Sequence, residues 1–344
     1  MASFKKYFSY QFKKSLPRFL TIALISLLFT IIYTDCGLIL NENVFYSFVS
    51  VDFALPFIMT ILCISVPILE LAPFKNRRNL DTLMFLPVSR FKMSVIIYLN
   101  GLIQIVGVFL LCSLYSLFYL LKKMNDFSLT LGYVDVPFSI KYFAPYVIFI
   151  LLFGIAIYSI YMFAISSAST LIDGIVFQAF YSLGLYFVAL AITNILKGLM
   201  TFNFYNGDNF IIFDPIIDLP HHFKRLMILD NHDLITIDYI TFIMWGVLGI
   251  ASIFGFILTF KNQKVEKISD ISTSAFGYKT LIPILGYSAM ISIDTSLDFA
   301  LQLLLIITMY VGYIVFRRSI KLKKSDYICL AVSVVPIFIS LLIH

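Results

Sequence analysis

The sequence predicts an all-α polytopic membrane protein with its N-terminus inside and its C-terminus outside. Three observations predict it. Of the 344 residues, 60% are hydrophobic and 13% are charged, with mean hydropathy +0.96. A water-soluble domain of this size cannot hide that much apolar surface. The apolar residues fall in runs near the roughly 20 residues a helix needs to cross a bilayer. Finally, the basic residues gather in alternate connections, as the positive-inside rule requires. The net charge of +6 is then a matter of sidedness and calls for no nucleic-acid partner. Cys36, Cys63, Cys112 and Cys329 are far apart in sequence and form neither a disulfide framework nor a metal pair.

Residues 1–18 read as an amphipathic helix lying on the inner leaflet. Phe4, Tyr7, Phe8, Phe12 and Leu16 share one stripe, with Lys5, Lys6, Lys13 and Lys14 around it, and Pro17 ends it. A signal peptide is disfavoured, because no small-x-small cleavage site follows Phe19–Tyr33. Span 1 is then about 19–38, with a polar exit at Asp35 and Asn41 to Asn43. Span 2 is about 50–73 and contains Pro56 and Pro67. Glu70, near its inner end, is read as an interfacial carboxylate paired with Arg77 or Arg78 rather than a charge on a transport path.

Span 3 is about 93–121, followed by a polar outer loop, 122–142. Spans 4 and 5, about 143–166 and 171–195, are joined by a tight cytoplasmic hairpin that carries Asp173. Residues 196–236 form the longest connection. It is acidic, yet holds the apolar pieces Phe202–Tyr205 and Phe210–Ile217, so it reads as dipping into the outer interface. His221, His222 and His232 with Asp230 and Asp233 match no standard zinc spacing, so no metal is expected.

Span 6 is about 237–260. A basic linker, 261–279, leads to the weakly apolar span 7, about 280–293, and then to span 8, about 297–316. A basic stretch, 317–324, precedes span 9, about 327–343. This arrangement leaves nineteen of the 25 lysines and arginines inside, six outside and none within a span. Omitting span 7 would weaken that bias.

The most informative stretch is the polar interlude Phe74 to Lys92 between spans 2 and 3. Asn79 can cap a short helix there; Leu80, Leu83 and Met84 share one face, and Pro87 ends it. Ser89 is placed to cap the next membrane helix. A short helix presented to the cytoplasm is a docking surface for a soluble partner.

The run R-x-L-D-T-L-x-x-L-P-V-S-R resembles the cytoplasmic loop of ABC-2-type ABC transporter permeases. It is carried by Arg78, Leu80, Asp81, Thr82, Leu83, Leu86, Pro87, Val88, Ser89 and Arg90. The resemblance implies that Asn79, Leu80, Asp81, Thr82, Leu83, Met84, Phe85, Leu86 and Pro87 form a coupling helix for a separate ATPase. Arg77, Arg78, Arg90 and Lys92 would flank it. It also implies an elbow helix at 1–18, bearing Phe4, Tyr7, Phe8 and Phe12, and a six-span domain over 1–260 with the coupling loop at 74–92. Residues 261–344 then form a three-span C-terminal extension, as in a longer Gram-positive subgroup. The phenol-soluble modulin exporters are a tempting closer relative.

The function expected is therefore a non-enzymatic permease subunit in the bacterial cell membrane. It would export an amphipathic or lipid-like substrate, with cytolytic amphipathic peptides as one candidate, and pair with a second copy or a sister permease. This chain has no G-x-x-x-x-G-K-[ST] loop, so ATP and Mg would bind the partner ATPase. The spans hold no paired mid-membrane carboxylates, which disfavours an ion-coupled carrier. A multispan membrane enzyme or sensor working through the acidic outer loop is the alternative.

Overall fold

The computed structural model describes residues 2–34, 36–41, 44–49, 51–76, 88–131, 143–199, 235–263, 276–292, 299–317, 319–333 and 335. Apart from one hairpin, the described residues with regular structure are helical. Six helices are long and apolar enough to cross a membrane, with apolar stretches at Phe4–Tyr33, Ala54–Lys75, Arg90–Lys122, Phe143–Ser167, Leu171–Val188 and Trp245–Asn262.

The first helix, α1, runs unbroken over Ala2–Tyr33 with Pro17 inside it. This corrects the expectation of a separate elbow helix closed by Pro17. A proline removes one N–H and stops most helices in water. In an apolar run the helix is the only way to satisfy the backbone that follows, so it continues. At about 1.5 Å per residue α1 is about 48 Å long, well beyond the roughly 30 Å of a hydrocarbon core. Its first turns carry the exposed lysines Lys5, Lys6, Lys13 and Lys14.

The next correction concerns the end of span 1. Strands β1 (Cys36–Asn41) and β2 (Val44–Val49) pair antiparallel, from Cys36 opposite Val49 to Asn41 opposite Val44. The hairpin takes over residues 36–38, which the sequence reading gave to the span. Helix α2 (Val51–Leu71) accommodates Pro56 and Pro67 and passes into a 3-10 turn, Ala72–Lys75. Helix α3 covers Arg90–Leu131, so the first part of the expected outer loop is helical. Its start matches expectation: Ser89 Oγ accepts the Lys92 amide at 3.5 Å.

Helices α4 (Phe143–Ser167) and α5 (Leu171–Leu199) flank a turn where the tight hairpin was expected. Helix α6 covers Ile235–Asn262. Helix α7 (Tyr278–Ser292) has 15 residues, α8 (Phe299–Arg317) has 19 with its apolar stretch at Gln302–Arg317, and α9 covers Lys324–Val332. These occupy the places of spans 7 to 9, but none is among the six membrane-length helices.

The chain divides into two compact units. The first comprises Met1–Glu70, Phe85–Met162 and Asp214–Lys261. In it α1 and α3 run parallel: Ser15 meets Asn100, Phe19 lies against Gly107, and Thr30 bonds Cys112. Helix α2 runs against them, with Phe57 stacked on Phe29 at 5.0 Å and Glu70 beside Arg18. Helix α4 follows α2: Cys63 Sγ donates to the Gly154 carbonyl at 3.2 Å, and Tyr158 Oη donates to the Tyr98 carbonyl at 3.0 Å. Helix α6 runs alongside α4, with Gly249 against Ala156 and Phe256 near Tyr98. The starts of α1 and α3 and the ends of α2 and α6 therefore share one end of this unit. Exposed Lys5, Lys6, Lys13, Lys14, Arg90, Lys92 and Lys261 lie on those segments.

The second unit comprises Leu71–Met84, Phe163–Phe213 and Asn262–His344. Here α5 and α7 are parallel, from Phe177 against Tyr278 to the Ser292 hydroxyl donating to the Phe187 carbonyl. Helix α8 returns antiparallel, with Met309 over Gly286 and Phe316 beside Tyr278. Ile282, Met290, Met309, Tyr313 and Phe316 form its core. Arg317 grips Asp326 at the start of α9 through two 2.9 Å bonds. That guanidinium holds the Asp326 carboxyl below the ordinary carboxylate range.

Candidate functional site

The sequence placed the working site in the polar interlude. Arg77, Arg78 and the coupling residues Asn79, Leu80, Asp81, Thr82, Leu83, Met84, Phe85, Leu86 and Pro87 lie outside the described residues. So do the histidines of the outer loop. The described borders of the interlude are informative on both sides, within the two units separately.

In the first unit, the chain enters the interlude through Glu70. Glu70 is 6% exposed, in the last turn of α2. One carboxylate oxygen, Oε1, accepts from Arg18 Nη2, from Asn100 Nδ2 at 3.0 Å and from Gln104 Nε2 at 2.8 Å. Arg18 also donates to the Leu69 carbonyl at 2.8 Å, and Ser15 Oγ donates to Asn100 Oδ1 at 3.2 Å. The expected partners Arg77 and Arg78 are neighbours in sequence. Arg18, 52 residues away, binds the carboxylate, while Arg77 and Arg78 lie outside the described residues. The reason is geometric: α1 runs antiparallel to α2, which brings the start of one beside the end of the other.

This pairing also amends the charge assignment, because Arg18 lies inside the apolar stretch Phe4–Tyr33. A buried carboxylate is tolerable only with such partners. Charge-assisted bonds from three donors pin α1, α2 and α3 together one turn before the interlude. Among the described residues, Gln104 Oε1 and Arg18 Nε are buried without partners.

A second hydrogen-bonded group backs the first. Tyr98 Oη bonds Ser159 Oγ at 2.7 Å, and Ser159 Oγ donates to the Ile155 carbonyl. Gly101 leaves room for both the Tyr158 hydroxyl and Glu70: a Cβ there would stand 3.3 Å from Glu70 Cγ. Of the expected elbow residues, Tyr7 is buried and accepts from Gln11 at 2.7 Å. Phe4, Phe8 and Phe12 are half-buried, with Phe8 and Phe12 stacked at 6.3 Å. Across the interlude, Arg90 and Lys92 are exposed at the start of α3.

In the second unit, the 3-10 turn ends on Lys75, which is 7% exposed. Its ammonium donates to the Ser166 carbonyl at 3.2 Å and to the Ala168 carbonyl. Those carbonyls lie at the C-terminus of α4, where the helix has no donors left for them. Lys75 is therefore a buried helix cap and not one of the interlude's solvated charges. Beyond the turn, the Asp173 amide donates to Thr170 Oγ1 at 3.0 Å, and Asp173 Oδ1 accepts the Tyr278 hydroxyl at 2.8 Å.

Sequence reasoning missed Asn100, Gln104, Lys75 and Tyr278 as participants. A signal was present for the first two. They are polar, four residues apart, and fall on one face of an otherwise apolar run. Among the described residues, no group of three or more His, Cys, Asp or Glu could hold a metal ion. Nor do these clusters pair a nucleophile with a base. Their chemistry is that of clamps holding the borders of the interlude. Comparisons of the chain with known protein families, curated proteins and solved structures find no match.

Proposed function

We propose that this chain is the membrane subunit of an ATP-driven exporter of the ABC-2 type in the bacterial cell membrane. A separate ATPase docks on Leu80–Leu86, and its closure moves α2 and α3, which the interlude joins covalently. The observation that carries this reading is the clamping of the interlude's borders. Glu70 and Lys75, where the chain enters the interlude, are both buried and multiply bonded, so a push on that border is delivered to the helices that hold it. The gathering of exposed lysines and arginines on the starts of α1 and α3 and the end of α6 supports a cytoplasmic location for that end. The N-terminus is then inside. A second copy or a sister permease completes the pathway, and the substrate is amphipathic or lipid-like.

The test uses an ATPase encoded beside this chain, co-expressed with it. Leu83→Glu or Asp81→Arg is expected to abolish co-purification of the ATPase while membrane insertion is kept. Undiminished co-purification with both variants contradicts the proposal.

A further inference from the structure

We propose that Lys75, Asp173 and Tyr278 form a relay tying the polar interlude to the C-terminal helices α7 and α8, making those helices part of the moving machinery. Its role in export rests on the function proposed above; the mechanical link itself does not. Three stretches distant in sequence (71–84, 163–213 and 262–344) fall in one compact unit, so Lys75, at the start of the interlude, belongs with the C-terminal helices. The joints are the buried bonds of Lys75, the turn that follows them, and the half-buried bond between Asp173 and Tyr278.

The first joint is Lys75. An ammonium buried to this degree is stable only while its donors are used. It uses them on the Ser166 and Ala168 carbonyls, at the negative end of the α4 dipole. The second joint is the turn itself. Asp173 sits in the first turn of α5, where a carboxylate is favoured, and attracts Lys75 across the turn. The third is Tyr278, whose hydroxyl donates to Asp173 Oδ1 at 2.8 Å. Its ring is packed among Phe177 at 4.8 Å, Phe180 at 6.4 Å and Phe316 at 5.5 Å, which reaches α5 and α8 together. Displacing Lys75 would strand two carbonyls and an ammonium, so the turn follows it. Displacing the turn draws on Tyr278 in the same way.

The link is tested by amide hydrogen exchange on the full chain in lipid nanodiscs. Tyr278→Phe keeps the ring and removes one hydroxyl, so the chain still folds. Exchange is expected to rise about fivefold, the scale of one lost hydrogen bond, at 72–76 and 165–175 as well as at 276–282. In a Lys75→Met background, Tyr278→Phe is expected to add nothing at 72–76. A rise confined to 276–282, or full additivity of the two changes, overturns the relay. ATP turnover by the co-expressed ATPase is measured separately and bears on the exporter reading alone.

Discussion

Replacing Arg18 with Met is expected to lower the thermal stability of the detergent-solubilised chain more than replacing Arg18 and Glu70 together. Among the described residues, the single change leaves the buried Glu70 carboxylate with only Asn100 and Gln104 as donors. Breaking a buried pair by removing one member costs about 3–5 kcal/mol, because a charge is stranded. The Arg18 side chain is 28% exposed, so water enters on one side and the lower end of that range applies. The double change Arg18→Met with Glu70→Gln strands no charge. Its amide oxygen still accepts from Asn100 and Gln104, so most of the loss is recovered. A double variant no more stable than the single one would show that the ion pair is not what holds α1 to α2.

A second large effect is expected in α6, where two glycines three residues apart should respond oppositely. A Cβ on Gly249 would lie 2.9 Å from both Cα and Cβ of Ala156. The obstacle includes backbone, so relief requires α4 and α6 to separate. Gly249→Val should cost about 1–3 kcal/mol or more from overpacking. A Cβ on Gly246 meets nothing within 4 Å. Gly246→Val should be neutral or slightly stabilising, since glycine is a poor helix former. The check is the melting temperature of each variant beside the wild type. Equal losses at both positions would mean that the close approach at Gly249 is not real.

The sequence carried the six long helices legibly because apolar length is a local property. The turn before Asp173 and the Ser89 cap were legible for the same reason: each depends on neighbours within four residues. The stripe of Phe4, Tyr7, Phe8 and Phe12 was also visible, but its closure at Pro17 was not, because the proline rule is a rule for water. The partner of Glu70 was hidden by distance along the chain. A reading that pairs charges with their nearest opposites chooses Arg77 or Arg78, whereas antiparallel packing brings in Arg18. Lys75 looked like one more charge in a basic loop. Only the end of α4, whose last carbonyls have no helical N–H to bond and take the Lys75 ammonium, explains why it is buried. Helices α7 to α9 stand where spans 7 to 9 were expected, but among the described residues none reaches the apolar length of a membrane crossing, so charge bias placed them without fixing their length.

The account depends most on the interlude facing the cytoplasm. Ser89 is exposed at the start of α3, so a Ser89→Cys variant, with Cys36, Cys63, Cys112 and Cys329 replaced, reports its side directly. A membrane-impermeant maleimide is applied to intact cells and to inverted membrane vesicles. Labelling in the vesicles and none in the cells is the predicted result. Labelling in the cells would put the interlude outside, beyond the reach of any ATPase, and would contradict the account.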